Sequence, residues 1–304
     1  MPLPLANPPV QSRAFRSTRA AHTTQVAILD APAPLRLWHL ASLDAPTVAV
    51  AWSLGFAWAA GIRLPHWVPV LLALGTWTVY IGDRLLDARA GLRFGALRTL
   101  RERHFFHWRH RRILLALASV SAVAAAAILF TVMPAPVRER DSVLAAAALA
   151  YFSGVHSRRR MPRWLALLLS KELLVGVLFT AGCVLPAFSR LRLQAAPGAR
   201  FGPLLLAALF FAALAWLNCH AIERWESHTA SRIFSAACLL ALAGFSSAAL
   251  LVSAQPHTAA LLAAGATSAL LLALLHRKRK RLTPRALRAA ADLVLLTPFF
   301  LLAL

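Results

Sequence analysis

From residue 45 onward, long apolar runs alternate with short polar clusters, and this rhythm predicts helices that cross a bilayer. The runs lie at 45–62, 66–86, 113–133, 142–156, 164–187, 202–222, 232–254, 257–276 and 286–304. Most come close to the roughly 20 apolar residues that a helix needs to span the hydrocarbon core. The fourth reaches that length only if its helix begins back in Val137 to Asp141, so the expectation is nine crossings, or eight without it. Residues 1–40 are rich in Pro, Ala and Arg and lack the apolar core of a signal peptide, which predicts a mobile tail before a helical domain at 41–304. The fold class expected is therefore all-α, a polytopic membrane protein of nine transmembrane helices.

Composition supports that class. The chain is 59% hydrophobic with 14% charged residues, and the charge is confined to the connections between apolar runs. A net charge of +22 invites a nucleic-acid reading, but such patches sit on soluble domains, and basic loops between spans explain the charge better. Cys183, Cys219 and Cys238 fall inside apolar runs without CxxC spacing, which argues against a disulfide framework and a zinc site.

Loop charge gives an orientation. The tail and the connections after runs two, four, six and eight hold most of the basic residues. The opposite connections hold only Arg63, Arg138, Arg140, Arg190, Arg192 and Arg200. Basic loops stay inside, which predicts a cytoplasmic N-terminus in a bacterial-type cytoplasmic membrane.

The second run ends in Val79-Tyr-Ile-Gly-Asp-Arg-Leu-Leu-Asp87, which puts Asp83 and Asp87 one turn apart on one helix face. Two like charges so placed at a bilayer rim require a cation, a basic partner or a shared proton. A divalent ion with a phosphate-bearing substrate satisfies the pair, and so do nearby arginines at a wet helix end. The sixth run ends similarly, with Glu223 and Glu226 following Asn218. The chain has only eleven acidic residues, so the repetition at two helix ends predicted to share a membrane face points to magnesium, which takes one or two carboxylates together with substrate phosphate.

These features together resemble the UbiA superfamily of intramembrane prenyltransferases. Its first motif is usually Asn-Asp-x-x-Asp-x-x-x-Asp; here Val79 and Tyr80 stand in place of the opening pair, and Asp83 and Asp87 match the later acids. In the second motif Asn218 and Glu226 match, Cys219 and Ile222 replace acids, and Glu223 is an off-register candidate. Tyr151, the basic group from Arg158 to Arg160, and Lys171 resemble the family's connection between helices four and five. The resemblance implies an isoprenoid diphosphate bound through Mg2+, ionisation of its allylic carbon–oxygen bond, and alkylation of a lipid-soluble acceptor within a lipid-open cavity. It implies Asp83, Asp87, Glu223 and Glu226 as metal ligands, with Asn218, Lys171, Arg84, Arg158, Tyr80 and Tyr151 around the substrate. The substitutions at Tyr80, Cys219 and Ile222 favour a non-catalytic or transport protein on the same scaffold, and a terpene cyclase is the alternative within the superfamily.

Other residues carry blander expectations. Arg84 projects about 100° around the helix from Asp83, so a lipid-headgroup contact competes with a substrate contact. His104, His107 and His110, interleaved with Phe105, Phe106 and Trp108, read as a membrane-surface segment that directly follows the first motif and is placed to cover its mouth. The run from Arg277 to Arg281 reads as a headgroup anchor. Asp292 is expected to pair with Arg285 or Arg288 one turn away, as a structural contact.

Overall fold

The computed structural model describes residues 30–93, 102–143, 146, 171–192, 198–227 and 232–302. The regular structure of these residues is helical, without a strand. Ten α-helices are used below: α1 (Ala33–Leu40), α2 (Asp44–Ala59), α3 (Trp67–Arg93), α4 (Glu102–Arg109), α5 (Arg111–Thr131), α6 (Lys171–Leu191), α7 (Gly198–Glu226), α8 (Ile233–Leu251), α9 (Pro256–Lys278) and α10 (Pro284–Leu293). A 3-10 turn, Arg279–Arg281, extends α9, and a 3-10 segment, Val294–Phe300, follows α10.

The expected nine crossings are corrected here. Among the described residues four helices are long and apolar enough to cross a membrane: α5, α7, α8 and α9 with its 3-10 extension. A fifth crossing is counted if α1 and α2, bent by 88° at their junction, act as one span. α3 has the length, but Gly75, Thr76, Thr78 and Tyr80 dilute its apolar stretch before Asp83 and Arg84 end it. The last expected run breaks after ten α-helical residues. Pro298 lacks an N–H, and its ring opposes the carbonyl four residues back, so this end winds as 3-10 instead. The expected run at 142–156 lies almost wholly outside the described residues.

The expected tail is also shorter than predicted at its far end. Ala33–Leu40 is helical, and His39 and Leu40 are buried at 3% and 5% exposure, so this segment belongs to the folded body.

The main apolar core forms where α2, α6, α7 and α9 meet. Trp52 stacks on Phe211 with ring centres 3.8 Å apart, and Phe56 meets the same ring edge-on. Phe210 lies in a notch between α8 and α9 made by two glycines. A Cβ on Gly244 or Gly265 would stand 2.7 Å from its ring. Along α8 the buried positions Ala237, Ala241, Gly244 and Ala248 recur every three or four residues, a stripe of small residues that lets helices approach closely without a hydrophobic drive between them. Two polar side chains in this half are tied to backbone: the Trp52 indole donates to the Leu295 carbonyl at 2.9 Å and Thr297 to that of Ala264 at 2.8 Å. These two bonds hold the 3-10 segment, and therefore the end of α10, against α2 and α9.

The corner between α1 and α2 positions the charged end of the bundle. Ser42 adopts φ = 58°, a left-handed conformation costing a non-glycine residue about 1 kcal/mol or more. Its hydroxyl is fully buried and meets Nε2 of His107 at 3.0 Å. The bend thus aims α1 across the helix ends while its own side chain docks α4.

Candidate functional site at the charged helix ends

On α3, Tyr80, Asp83, Arg84 and Asp87 recur at helical spacing and share one face; on α7, Asn218, Cys219, Ile222, Glu223 and Glu226 do the same. All of them line a single cavity of about 300 Å3. The ends of α2, α4 and α10 complete it with Asp44, Arg103, His104, Arg288 and Asp292. Six of the chain's eleven acidic residues face this one space. Val48, Val79, Val175, Phe179 and Leu295 add apolar lining.

Two charge clusters organise the polar wall. In the first, His39 donates through Nδ1 to Asp44 Oδ2 at 2.8 Å and lies 3.8 Å from Asp292 Oδ2. Arg84 donates to the His39 carbonyl at 3.2 Å and to Asp44 Oδ2 at 3.4 Å, and it is buried at 4% exposure. Asn218, also buried, donates from its amide nitrogen to Asp292 Oδ1 at 3.4 Å, while its own carbonyl oxygen is buried without a hydrogen-bond partner. In the second cluster Glu226 Oε1 accepts from Arg103 at 2.9 Å and from Arg288 at 3.0 Å. These three residues also line a neighbouring cavity of about 230 Å3, in whose wall His39, Asp30, Glu102 and Arg285 stand. The Arg103–Glu226–Arg288 bridge is thus a wall common to both cavities.

α4 closes the site from outside α3 and α7. Arg36 and Arg285 both pair with Glu102 at its first turn, and Thr283 caps α10 while donating to Asp30. His107 is fixed as a neutral tautomer: Nδ1–H donates to the Arg103 carbonyl at 2.7 Å, which leaves Nε2 to accept from Ser42. Burial, relieved in part by that carbonyl bond, takes His107 down to about 4. Burial and then the Arg103 charge take His104 down to about 3. Arg103 itself is lowered to about 10 by burial and by Arg288 beside it.

Several expectations change on this geometry. The histidine segment is not a surface stretch: His104 and His107 are buried at 7% and 0% exposure while Phe105 is the exposed side chain. The reason is that the ends of α2, α3 and α7 offer polar partners that lipid does not. Arg84 is buried in the cavity wall, with its terminal nitrogens taken by the His39 carbonyl on α1 and Asp44 on α2. Asp292 does not pair along its own helix. Arg288 crosses to Glu226 and Arg285 to Glu102, and Asp292 turns toward Asn218 and His39. Glu226 meets two guanidinium groups through one oxygen, so holding arginines competes with the metal role expected of it.

Lys171 begins α6, and Tyr151 and Arg158 lie outside the described residues. The cavity residues that sequence reasoning passed over are Asp44, Arg103 and, as partners of the wall, His39 and Arg288. An acid at the head of an apolar run was the available signal for Asp44, since such a group is costly without partners. No protein-family model matches the chain, and neither a curated protein nor a solved structure is found to match it.

Proposed function

We propose that this membrane protein is a UbiA-like transferase that moves an isoprenoid chain from an allylic diphosphate to a lipid-soluble acceptor. One observation carries the reading: two acidic helix ends far apart in sequence, on α3 and α7, line one cavity that also has apolar lining. A diphosphate and a hydrocarbon chain are the two chemistries such a space accommodates side by side. Asp83, Asp87 and Glu223 are hard oxygen donors of the kind Mg2+ takes, and these three would hold it. Bound there, Mg2+ would neutralise the departing diphosphate.

The chain's own residues do the remainder. Arg103 and Arg288 present guanidinium forks to diphosphate oxygens, with Glu226 holding them in place when substrate is absent. Tyr80 and Asn218 stand in the same wall to orient the headgroup. Val48, Val79, Val175 and Phe179 receive the hydrocarbon and exclude water from the reacting carbon.

A second reading, a non-catalytic scaffold, draws on the double engagement of Glu226, which leaves that carboxylate answered by protein alone. Purified full-length protein incubated with isoprenoid diphosphates of several lengths and a panel of hydrophobic acceptors, with and without Mg2+, separates the two. Metal-dependent release of diphosphate, abolished in Asp83→Ala and Glu223→Ala, is the expected result; binding without release favours the scaffold. Recovery of an alkylated acceptor rather than a cyclised hydrocarbon then distinguishes transfer from cyclisation.

A further inference from the structure

Where α1, α2 and α10 converge, His39 Nδ1, one oxygen of Asp44 and one of Asp292 lie within 4.8 Å of one another. They come from three separate helices, and Asp44 and Asp292 line the same cavity as the acidic ends of α3 and α7. Two carboxyl groups this close repel when both are ionised and call for a shared proton, a basic partner or a cation. Arg84 pairs with Asp44 at the long distance of 3.4 Å and spends another nitrogen on the His39 carbonyl, and Arg288 pairs with Glu226. The cluster also has an incomplete neighbour. Asn218, 3% exposed, is tied to Asp292 through its nitrogen, and its carbonyl oxygen is buried with no hydrogen-bond partner among the described residues. A buried amide oxygen in that state is costly unless a donor or a cation meets its lone pairs.

We propose that His39, Asp44 and Asp292, with Asn218 beside them, form a divalent-cation site selective for a first-row transition ion such as Mn2+ or Co2+ over Mg2+, the ion displacing the Nδ1 proton that His39 shares with Asp44. Selectivity follows from the donor set. An imidazole nitrogen suits borderline transition ions, whereas Mg2+ favours an all-oxygen shell. The donor set differs in chemistry from the carboxylates of Asp83, Asp87 and Glu223, which line the same cavity.

The test uses the purified full chain, stripped with chelator and titrated with Mn2+ in the presence of excess Mg2+. Electron paramagnetic resonance counts bound Mn2+, and pulsed measurement of nitrogen coupling reports an imidazole ligand. The expected result is one tightly held Mn2+ per chain with imidazole coupling. In His39→Gln and Asp292→Asn, Mn2+ affinity falls by more than about tenfold, the scale of losing a metal-supporting contact. Asp83→Ala and Asp87→Ala leave this Mn2+ in place even though they remove the diphosphate chemistry, so the two readings fail separately. The proposal is overturned if the native chain holds no Mn2+ in excess Mg2+, if bound Mn2+ lacks nitrogen coupling, or if a monodisperse His39→Gln protein binds as the native one does. Should His39→Gln not fold, the native coupling and the Asp292→Asn titration decide between the same outcomes.

Discussion

The two ends of the bundle treat polarity in opposite ways. Around Trp52, Phe56 and Phe211, rings stack on rings, and the indole N–H and the Thr297 hydroxyl end on backbone carbonyls. At the ends of α3 and α7, charge meets charge through Arg84–Asp44 and Arg103–Glu226–Arg288. Both ends bury polar atoms without a hydrogen-bond partner among the described residues, the Ser53, Thr180 and Ser189 hydroxyls at the first and the Asn218 oxygen and Arg288 Nε at the second. The first arrangement keeps charge out of its packing. The second carries desolvation costs that apolar packing would avoid, and such costs concentrate where a protein handles ligands.

That contrast can be broken at either end. Trp52→Ala removes the largest ring of the apolar end and should lower unfolding free energy by about 3–5 kcal/mol, read from thermal or denaturant melts in detergent. A smaller loss would mean the core is less closely fitted than the 3.8 Å stack implies. Asp83→Ala should leave the melt nearly unchanged and cut Mg2+-dependent diphosphate release by about 100-fold or more. If stability falls instead, the charged end is structural. Glu226→Gln leaves two guanidinium groups facing each other without their carboxylate, and should cost about 1–3 kcal/mol. Hydrogen exchange localises that loss: amides of 102–109 should lose protection before those of α8 and α9.

Acid should loosen the same segment. His104 and His107 are neutral when folded, at about 3 and about 4, against an ordinary 6.5. Unfolded or undocked α4 takes up protons that the docked form refuses, so docking is full above pH 6.5 and weakens as pH falls through 6.5 toward 4. Exchange rates corrected for intrinsic pH dependence measure this, and a His104→Gln, His107→Gln double variant should flatten the profile. The smallest effect is Ser42→Ala, about 1 kcal/mol for the lost hydroxyl bond to His107, confined to α4 in the same exchange experiment.

The sequence made the two ends unequally legible. Apolar runs give the long helices because a stretch fit to cross a bilayer is written in hydrophobicity: α5, α7, α8 and α9 fall within a few residues of the runs that predict them. Asp83, Asp87, Glu223 and Glu226 were readable as a group because acids are scarce here and helical spacing puts each pair on one face. The partners were not. Nothing local tells His39 from a tail residue or turns Asp292 away from Arg288, since both choices depend on an 88° corner and a 3-10 break that only tertiary packing fixes. The histidine segment was misread for a related reason. Its interleaved aromatics fit a membrane surface, and only the polar helix ends beside it make inward histidines the better solution.

Phe210 links the two ends mechanically. Its ring is seated between two bare stretches of backbone, at Gly244 and Gly265, where a single added carbon has no room. A helix whose ring cannot turn in that seat has a fixed azimuth, and α7 carries this setting about 20 Å along its axis, at about 1.5 Å per residue, to Glu223. Two absent side chains in the greasiest part of the molecule therefore decide the direction in which its scarcest charges point.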